Sequence, residues 1–219
     1  YDIIASNIPF GDTAVFDLSY SRGKDAVKTQ AARSIHNYFF MKGTDMLRDG
    51  GILAFITSQG VLNSQNNETI RRALVQNNDL LSAIRLPNNL FTEYAGTQVG
   101  SDMIILQKNT AKRGLSNLEA QFCGTYLGKD GSHNNRLFAS VQSIIHTSMY
   151  KSTDMYGKPA WIYEHAGGVD GIATDLKQKL SQDLSNRLDM RLYKGGRQEE
   201  SAMAILRTPQ PVLSFTEPV

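Results

Sequence analysis

Residues 51–57 read Gly51-Ile52-Leu53-Ala54-Phe55-Ile56-Thr57, GILAFIT. Apolar side chains follow one another here without alternation, so this is not the half-wet strand of an exposed sheet. A strand apolar on both faces belongs in the middle of a parallel sheet with helices on each side. The flanking sequence agrees. From about Thr29, Ala32, Ile35, Phe39 and Met46 recur at helical spacing with Leu47 beside them, and Gly50-Gly51 supplies a stop. Asn67 to Gln76 carries Ile70, Ala73 and Leu74 on one face of a short helix, with Arg71 and Arg72 on its other faces. LLSAIRL (80–86) reads as the next strand and QVGSDMIILQ (98–107) as another, with Gly100 as a bulge. DIIAS (2–6) is the first. Strands alternating with helices predict an α/β fold with a doubly wound sheet. The two closing strands have no helix between them, which predicts an antiparallel hairpin at one edge.

The remainder is less regular. Residues 11–28, with Arg22, Lys24 and Lys28 near Gly23, read as a long, basic, mobile loop. Lys108, Lys112 and Arg113 sit in a polar linker, and residues 115–165 mix short apolar clusters with turn residues without declaring elements. Gly171 to Leu188 is a helix, because Ile172, Leu176, Leu180 and Leu184 fall four apart on one face and leave Asp175, Lys177 and Lys179 on the wet side. The tail TPQPVLSFTEPV (208–219), with three prolines, reads as extended or disordered. The expected division is 1–110, then a linker and irregular region over 111–165, then a helical appendage with its proline-containing tail over 166–219.

Composition narrows the function classes. In 219 residues, 41% are hydrophobic, enough for a substantial core. The formal net charge of +2 neither demands nor excludes a nucleic-acid partner. Cys123 is the single cysteine, so neither a disulfide framework nor a cysteine-rich metal site is expected. His36, His133, His146 and His165 share no metal-like spacing. No apolar run approaches the roughly 18 residues of a membrane span, and no signal-like segment opens the chain. A reducing, cytoplasmic, membrane-free setting is expected. Tyr1 has no Met before it and opens directly on a strand, which suggests a piece of a longer polypeptide.

The chemistry is expected at Asn7-Ile8-Pro9-Phe10, where the first strand stops. Ligands of open α/β sheets bind beyond the carboxyl ends of the strands. Asn7 offers an amide oxygen and an NH2 group. Pro9 holds Ile8 extended, which can aim its carbonyl outward, and Phe10 offers a flat face. Two acceptors beside a ring suit a planar heterocycle with an exocyclic amine. The bland alternative is a turn in which Asn7 caps and Phe10 packs in the core.

The stretch resembles the [DNS]-[PI]-P-[YF] motif of the amino-group DNA methyltransferases. Three later segments are similar to the family's own: DGGILAFITSQGVLNS (49–64) to the strand and turn after the motif in N6-adenine enzymes of the type I restriction kind, IRLPNNLF (84–91) to the next strand and loop, and AGTQVGSDMIILQK (95–108) to the closing hairpin. TDMYGKPAWIYEHAGG (153–168) resembles, more loosely, segments of large methylase-helicase proteins on mobile elements.

The resemblance implies a Rossmann-like, S-adenosylmethionine-dependent methyltransferase sheet. It implies methyl transfer to adenine N6 of a base flipped from double-stranded DNA, and partner domains or subunits of a restriction-modification or methylase-helicase system. It gives Asn7, Ile8, Pro9 and Phe10 the catalytic roles. Phe91 is the candidate for the opposite wall of the base pocket, the alternative being an ordinary core Phe. Arg22, Lys24, Lys28, Lys112 and Arg113 are candidate contacts to the DNA backbone, the alternative being solvated loop charges. The family's cofactor-binding signature, a glycine-rich turn after a strand, has no counterpart in residues 1–108. The chain alone is therefore expected to be inactive. Two rivals stay open: a methyltransferase of the same fold acting on RNA bases or protein glutamine, and a non-catalytic nucleic-acid-binding or interaction module.

Overall fold

The computed structural model describes residues 1–11, 13–154 and 157–195. The proline-containing tail and Asp12, to which the sequence assigns no chemistry, lie outside the described residues. At the centre is a four-stranded sheet of β1 (Ile3–Asn7), β2 (Ile52–Ser58), β3 (Asn78–Leu86) and β4 (Ser101–Lys108), in the order β1-β2-β4-β3. β1 and β2 are parallel, and β4 is antiparallel to both its neighbours. The fold is α/β with a mixed sheet.

GILAFIT is interior, as expected, but only one of its neighbours is parallel. The closing pair is antiparallel, yet β4 inserts between β2 and β3 instead of forming the rim. Its run Met103-Ile104-Ile105-Leu106 is apolar on both faces and takes the central place. The outer edge of β3 is in turn covered at Arg85, which bridges Ile144 and accepts the Ile145 N–H at 2.9 Å. That cover removes an exposed row of backbone groups. Gly100 is not a bulge. The register shift lies in β3 between Leu80 and Ser82, whereas a Cβ on Gly100 would come within 2.4 Å of the Gln59 side chain.

The helices are α1 (Leu18–Ser21), α2 (Ala26–Ala31), α3 (Ile35–Met46), α4 (Gly60–Asn63), α5 (Glu68–Gln76), α6 (Thr92–Ala95), α7 (Asn117–Cys123) and α8 (Gly168–Arg187). The stretch expected as a mobile basic loop contains α1 and α2, N-capped by Asp17 and Asp25. The single helix expected to begin near Thr29 is broken at Ser34, whose extended backbone starts α3. α3 and α5 pack on the sheet face that carries Leu53 and Phe55, with Gly43 of α3 against both. α8 covers the opposite face, where Ile172, Leu176 and Leu180 meet Ile84, Leu86 and Met103. This is the apolar stripe expected of it. Two small hairpins, β5 (Thr125–Leu127) with β6 (His133–Asn135) and β7 (Ser148–Thr153) with β8 (Pro159–Glu164), occupy the region the sequence left unassigned. Among the described residues, no helix is long and apolar enough to cross a membrane and no three His, Cys, Asp or Glu side chains group as metal ligands.

Candidate active site

β1 ends at Asn7, but pairing runs one residue further, because the Ile8 N–H donates to the Ile56 carbonyl at 3.0 Å. The Ile8 side chain is 1% exposed and pins the loop to the core. These two contacts hold Asn7 at the carboxyl rim of the sheet. Its side chain is exposed and makes no hydrogen bond among the described residues. Pro9 is exposed, Phe10 is 38% exposed, and Gly11 turns the chain away at φ 151°, a conformation that favours glycine. The capping alternative for Asn7 and Phe10 is therefore not the arrangement seen.

Phe91 closes a 3-10 turn over Asn88–Phe91, after β3. Its ring lies 6.4 Å from that of Phe10, centroid to centroid, with 75° between the planes. The structure thus brings together two rings that are 81 positions apart in the chain, by subtraction of their numbers. Their present contact is edge to face, so a flat ligand between them requires the rings to turn towards parallel. The neighbouring strand ends add polar atoms. Among the described residues, Thr57 Oγ1, Gln59 Nε2 and Ser101 Oγ are buried without hydrogen-bond partners.

The cations expected on a DNA backbone do not share this rim. Lys28 pairs at 2.5 Å with Asp45, which stands at the end of α3 where the chain turns into the start of β2. The Tyr20 hydroxyl donates to the same carboxylate at 2.7 Å. Burial pushes the Asp45 carboxyl up, but Lys28 and Tyr20 outweigh it and the net shift is downward. Arg22 and Lys24 are exposed in the turn between α1 and α2, just after Tyr20. Lys112 is a correction to the expectation. Its ammonium contacts Glu119, Asp79 at 3.2 Å and the Asn78 carbonyl at 2.8 Å, with 7% of the side chain exposed, so no N–H remains for a phosphate. Arg113 is exposed beside it and lines a groove of about 530 Å³ with Val27, Arg72 and Gln76. Asn78 opens β3 and Asp45 precedes β2, so this group sits at the amino end of the sheet. At roughly 3.3 Å per residue, the strands put it about 20 Å from Asn7.

Two buried arginines carry structure that the sequence reading missed. Arg71, expected on an outer face of its helix, is fully buried and donates to the carbonyls of Val61, Ser64 and Cys123. It fixes the turn after β2, and burial lowers its pKa to about 10. The signal was present, since Arg71, Leu74 and Val75 share one helical face. Arg85 forms a bidentate pair with Asp102 at 2.9 and 3.1 Å, donates to Asn63 at 2.9 Å, and stacks on Phe138 at 3.9 Å. It thereby ties α4 to the ends of β3 and β4.

The family model for N-6 DNA methylases matches residues 1–164. The chain belongs to the N-6 DNA methylase family. A curated relative of this chain is the methylase subunit of type I restriction enzyme MpnII from Mycoplasma pneumoniae, 29% identical over 119 residues. That match covers 52% of this chain and 21% of the relative, so the chain spans about a fifth of the relative's length. Among solved structures, the M protein of type I restriction enzyme EcoKI overlaps 95% of the chain and 50% of its own, at 16% identity and a TM-score of 0.40. A modification subunit assigned to a type I restriction enzyme of Vibrio vulnificus YJ016 overlaps 49% and 22%, at 20% identity and a TM-score of 0.41. The resemblance read from NIPF and the segments after it thus stands at the level of the family.

Proposed function

We propose that this chain is the base-holding part of an S-adenosylmethionine-dependent, Rossmann-like methyltransferase that modifies adenine N6 in double-stranded DNA. The observation that carries the proposal is the Asn7 amide at the end of β1, unpartnered among the described residues, with the Phe10 and Phe91 rings in edge-to-face contact at the same rim. On this reading the Asn7 oxygen and the Ile8 carbonyl accept hydrogen bonds from the exocyclic amine and favour its tetrahedral form. They also stabilise the positive charge that grows on nitrogen, each contributing about 3–4 kcal/mol in a preorganised site. No strong base is required. Phe10 and Phe91 stack on the extruded base, at about 1–3 kcal/mol per base. Stacking of that size offsets a flipping cost of about a few kcal/mol.

The described residues do not fit a whole cofactor. The parallel strands β1 and β2 end in Asn7-Ile8-Pro9-Phe10-Gly11 and Ser58-Gln59-Gly60, and neither turn has the closely spaced glycines through which a backbone approaches a nucleotide. S-adenosylmethionine supplies an electrophilic methyl group when bound by the complete enzyme. Among the described residues the outer edge of β1 is unpaired, and on this reading it would carry the strands that bind the cofactor. On this reading residues 1–110 hold the base, while the described residues of 111–165 and of the appendage 166–219 buttress them. The chain alone binds the cofactor weakly and is inactive, so calorimetry should show no micromolar binding. Partner subunits of a restriction-modification or methylase-helicase system, and the cytoplasmic location of chromosomal DNA, follow from the same reading.

The test is to incubate the full-length protein with labelled cofactor and unmethylated DNA, then digest to nucleosides. Label in N6-methyladenine is the expected result, and label in RNA or protein, or none, contradicts it. Asn7→Ala should lower turnover at least about a hundredfold, as for loss of one preorganised group, with little loss of DNA affinity.

A further inference from the structure

Ile162–Gly168, IYEHAGG, belongs to a stretch that the site above does not use, yet it grips the turn that carries Phe91. Asn88 is buried, and its side-chain oxygen accepts the Tyr163 N–H at 3.1 Å. The Asn89 amide meets the backbone of His165 twice. Its oxygen accepts the His165 N–H at 3.1 Å, and its NH2 donates to the His165 carbonyl at 3.1 Å. Two consecutive side chains thus act as an extra strand along residues 163 and 165.

The far side of that strand is also fixed. The Gly167 N–H donates to His165 Nδ1 at 3.1 Å, which leaves the ring proton on Nε2, facing Asp175 of α8 at 3.1 Å. A Cβ on Gly171 would fall 2.6 Å from His165 Cε1, so the helix keeps a glycine there, against propensity, to admit the ring. An unbroken path of hydrogen bonds and close contacts therefore runs from α8 through His165 and Asn89 to the turn that ends in Phe91, and from Phe91 to Phe10.

We infer that Asn88, Asn89 and His165 are positioning residues for Phe91, and that Ile162–Gly168 is the strut that sets one wall of the base pocket. The inference rests on the reading of Phe91 as that wall. Asn89 and His165 need not touch DNA. They fix where the stacking ring stands when the base arrives, so they govern turnover and extrusion, with no part in binding the duplex.

The experiment uses the full-length protein with two duplexes. One carries the adenine it methylates, for turnover, and one carries 2-aminopurine in its place, for fluorescence alone, because 2-aminopurine lacks the 6-amino acceptor. Asn89→Ala, Phe91→Ala and the double variant are compared with the parent. Asn89→Ala should lower kcat about tenfold, leave KM for DNA within about twofold, and reduce the fluorescence change that reports the extruded base. The double variant should be no worse than Phe91→Ala alone, because both substitutions remove one function. Gly171→Ala displaces the buried His165 ring and breaks its hydrogen bonds to Gly167 and Asp175, so it should reproduce the kcat loss, read below its own lowered melting temperature. A Phe91→Ala loss that Asn89→Ala and Gly171→Ala do not share, or losses that multiply in the double variant, overturns the strut alone. An unchanged Phe91→Ala variant overturns the wall and the strut together.

Discussion

Asn63, Asn88, Asn89 and Asn135 each tie distant parts of this chain together, while the Asn7 side chain ties nothing among the described residues. On the function proposed above, that difference is what leaves Asn7 available to a ligand. The strand end and exposed loop at Asn7 to Phe10 were legible in sequence because their stereochemistry is local: an apolar run, an amide, a proline and a ring in succession. The buried cations were not. Arg71 finds the Cys123 carbonyl 52 residues away and Arg85 finds Asp102 17 residues away, and only the fold brings such partners together. Lys112 misled for the same reason, since a lysine in a polar linker gives no sign of three internal acceptors. The unpartnered Thr57 hydroxyl yields a prediction at this scale. Thr57→Val keeps the shape and removes a desolvated polar group, so it should stabilise the protein by about 1 kcal/mol. A denaturant titration measures this, and a loss of stability would mean that the hydroxyl has a partner such as ordered water.

The strands and long helices were readable because each buries one continuous pattern. GILAFIT, LLSAIRL and the stripe Ile172-Leu176-Leu180 all fell within a few residues of their observed elements. The order of strands was less so, because nothing in β4 alone says that it inserts between β2 and β3. α1 and α2 escaped notice although Asp17 and Asp25 were available as caps. The small hairpins are too short and too exposed to declare a period. α3 and β2 supply a prediction about packing between elements. A Cβ at Gly43 would stand 2.6 Å from Leu53 Cδ1 and 3.2 Å from the Phe55 ring, and both side chains are buried. Gly43→Ala favours the helix by up to about 1 kcal/mol, yet overpacking costs about 1–3 kcal/mol. The variant should be less stable than the parent, and a rise in melting temperature would show that Leu53 can move aside.

Across the whole molecule, a net charge of +2 conceals acids that are tightly engaged. Glu119 and Asp183 behave as Asp45 does. Burial pushes each carboxyl up, but it is outweighed for Glu119 by Lys112 and the Ser116 and Leu80 N–H groups, and for Asp183 by Lys179, Ser82 and Arg187. Their folded pKa values lie below the unfolded ones. The stability they contribute is present above about pH 4 and is lost as pH falls through the folded values. Unfolding free energy should therefore fall on the acid side, and Glu119→Gln should be less stable at neutral pH with a shallower acid slope. An unchanged slope in denaturant titrations across that range would remove Glu119 from the account.

The wider architecture places the Asn7–Phe10 loop at one end of the sheet and the basic turns at the other, with α8 bracing the face between. A crystal structure of the full-length protein on a duplex containing its target adenine tests the central claim most directly. The account predicts the adenine outside the stack, between Phe10 and Phe91, with its N6 within about 3 Å of the Asn7 side-chain oxygen and the Ile8 carbonyl. An extruded adenine held elsewhere, with Asn7 and Phe10 untouched, would contradict it.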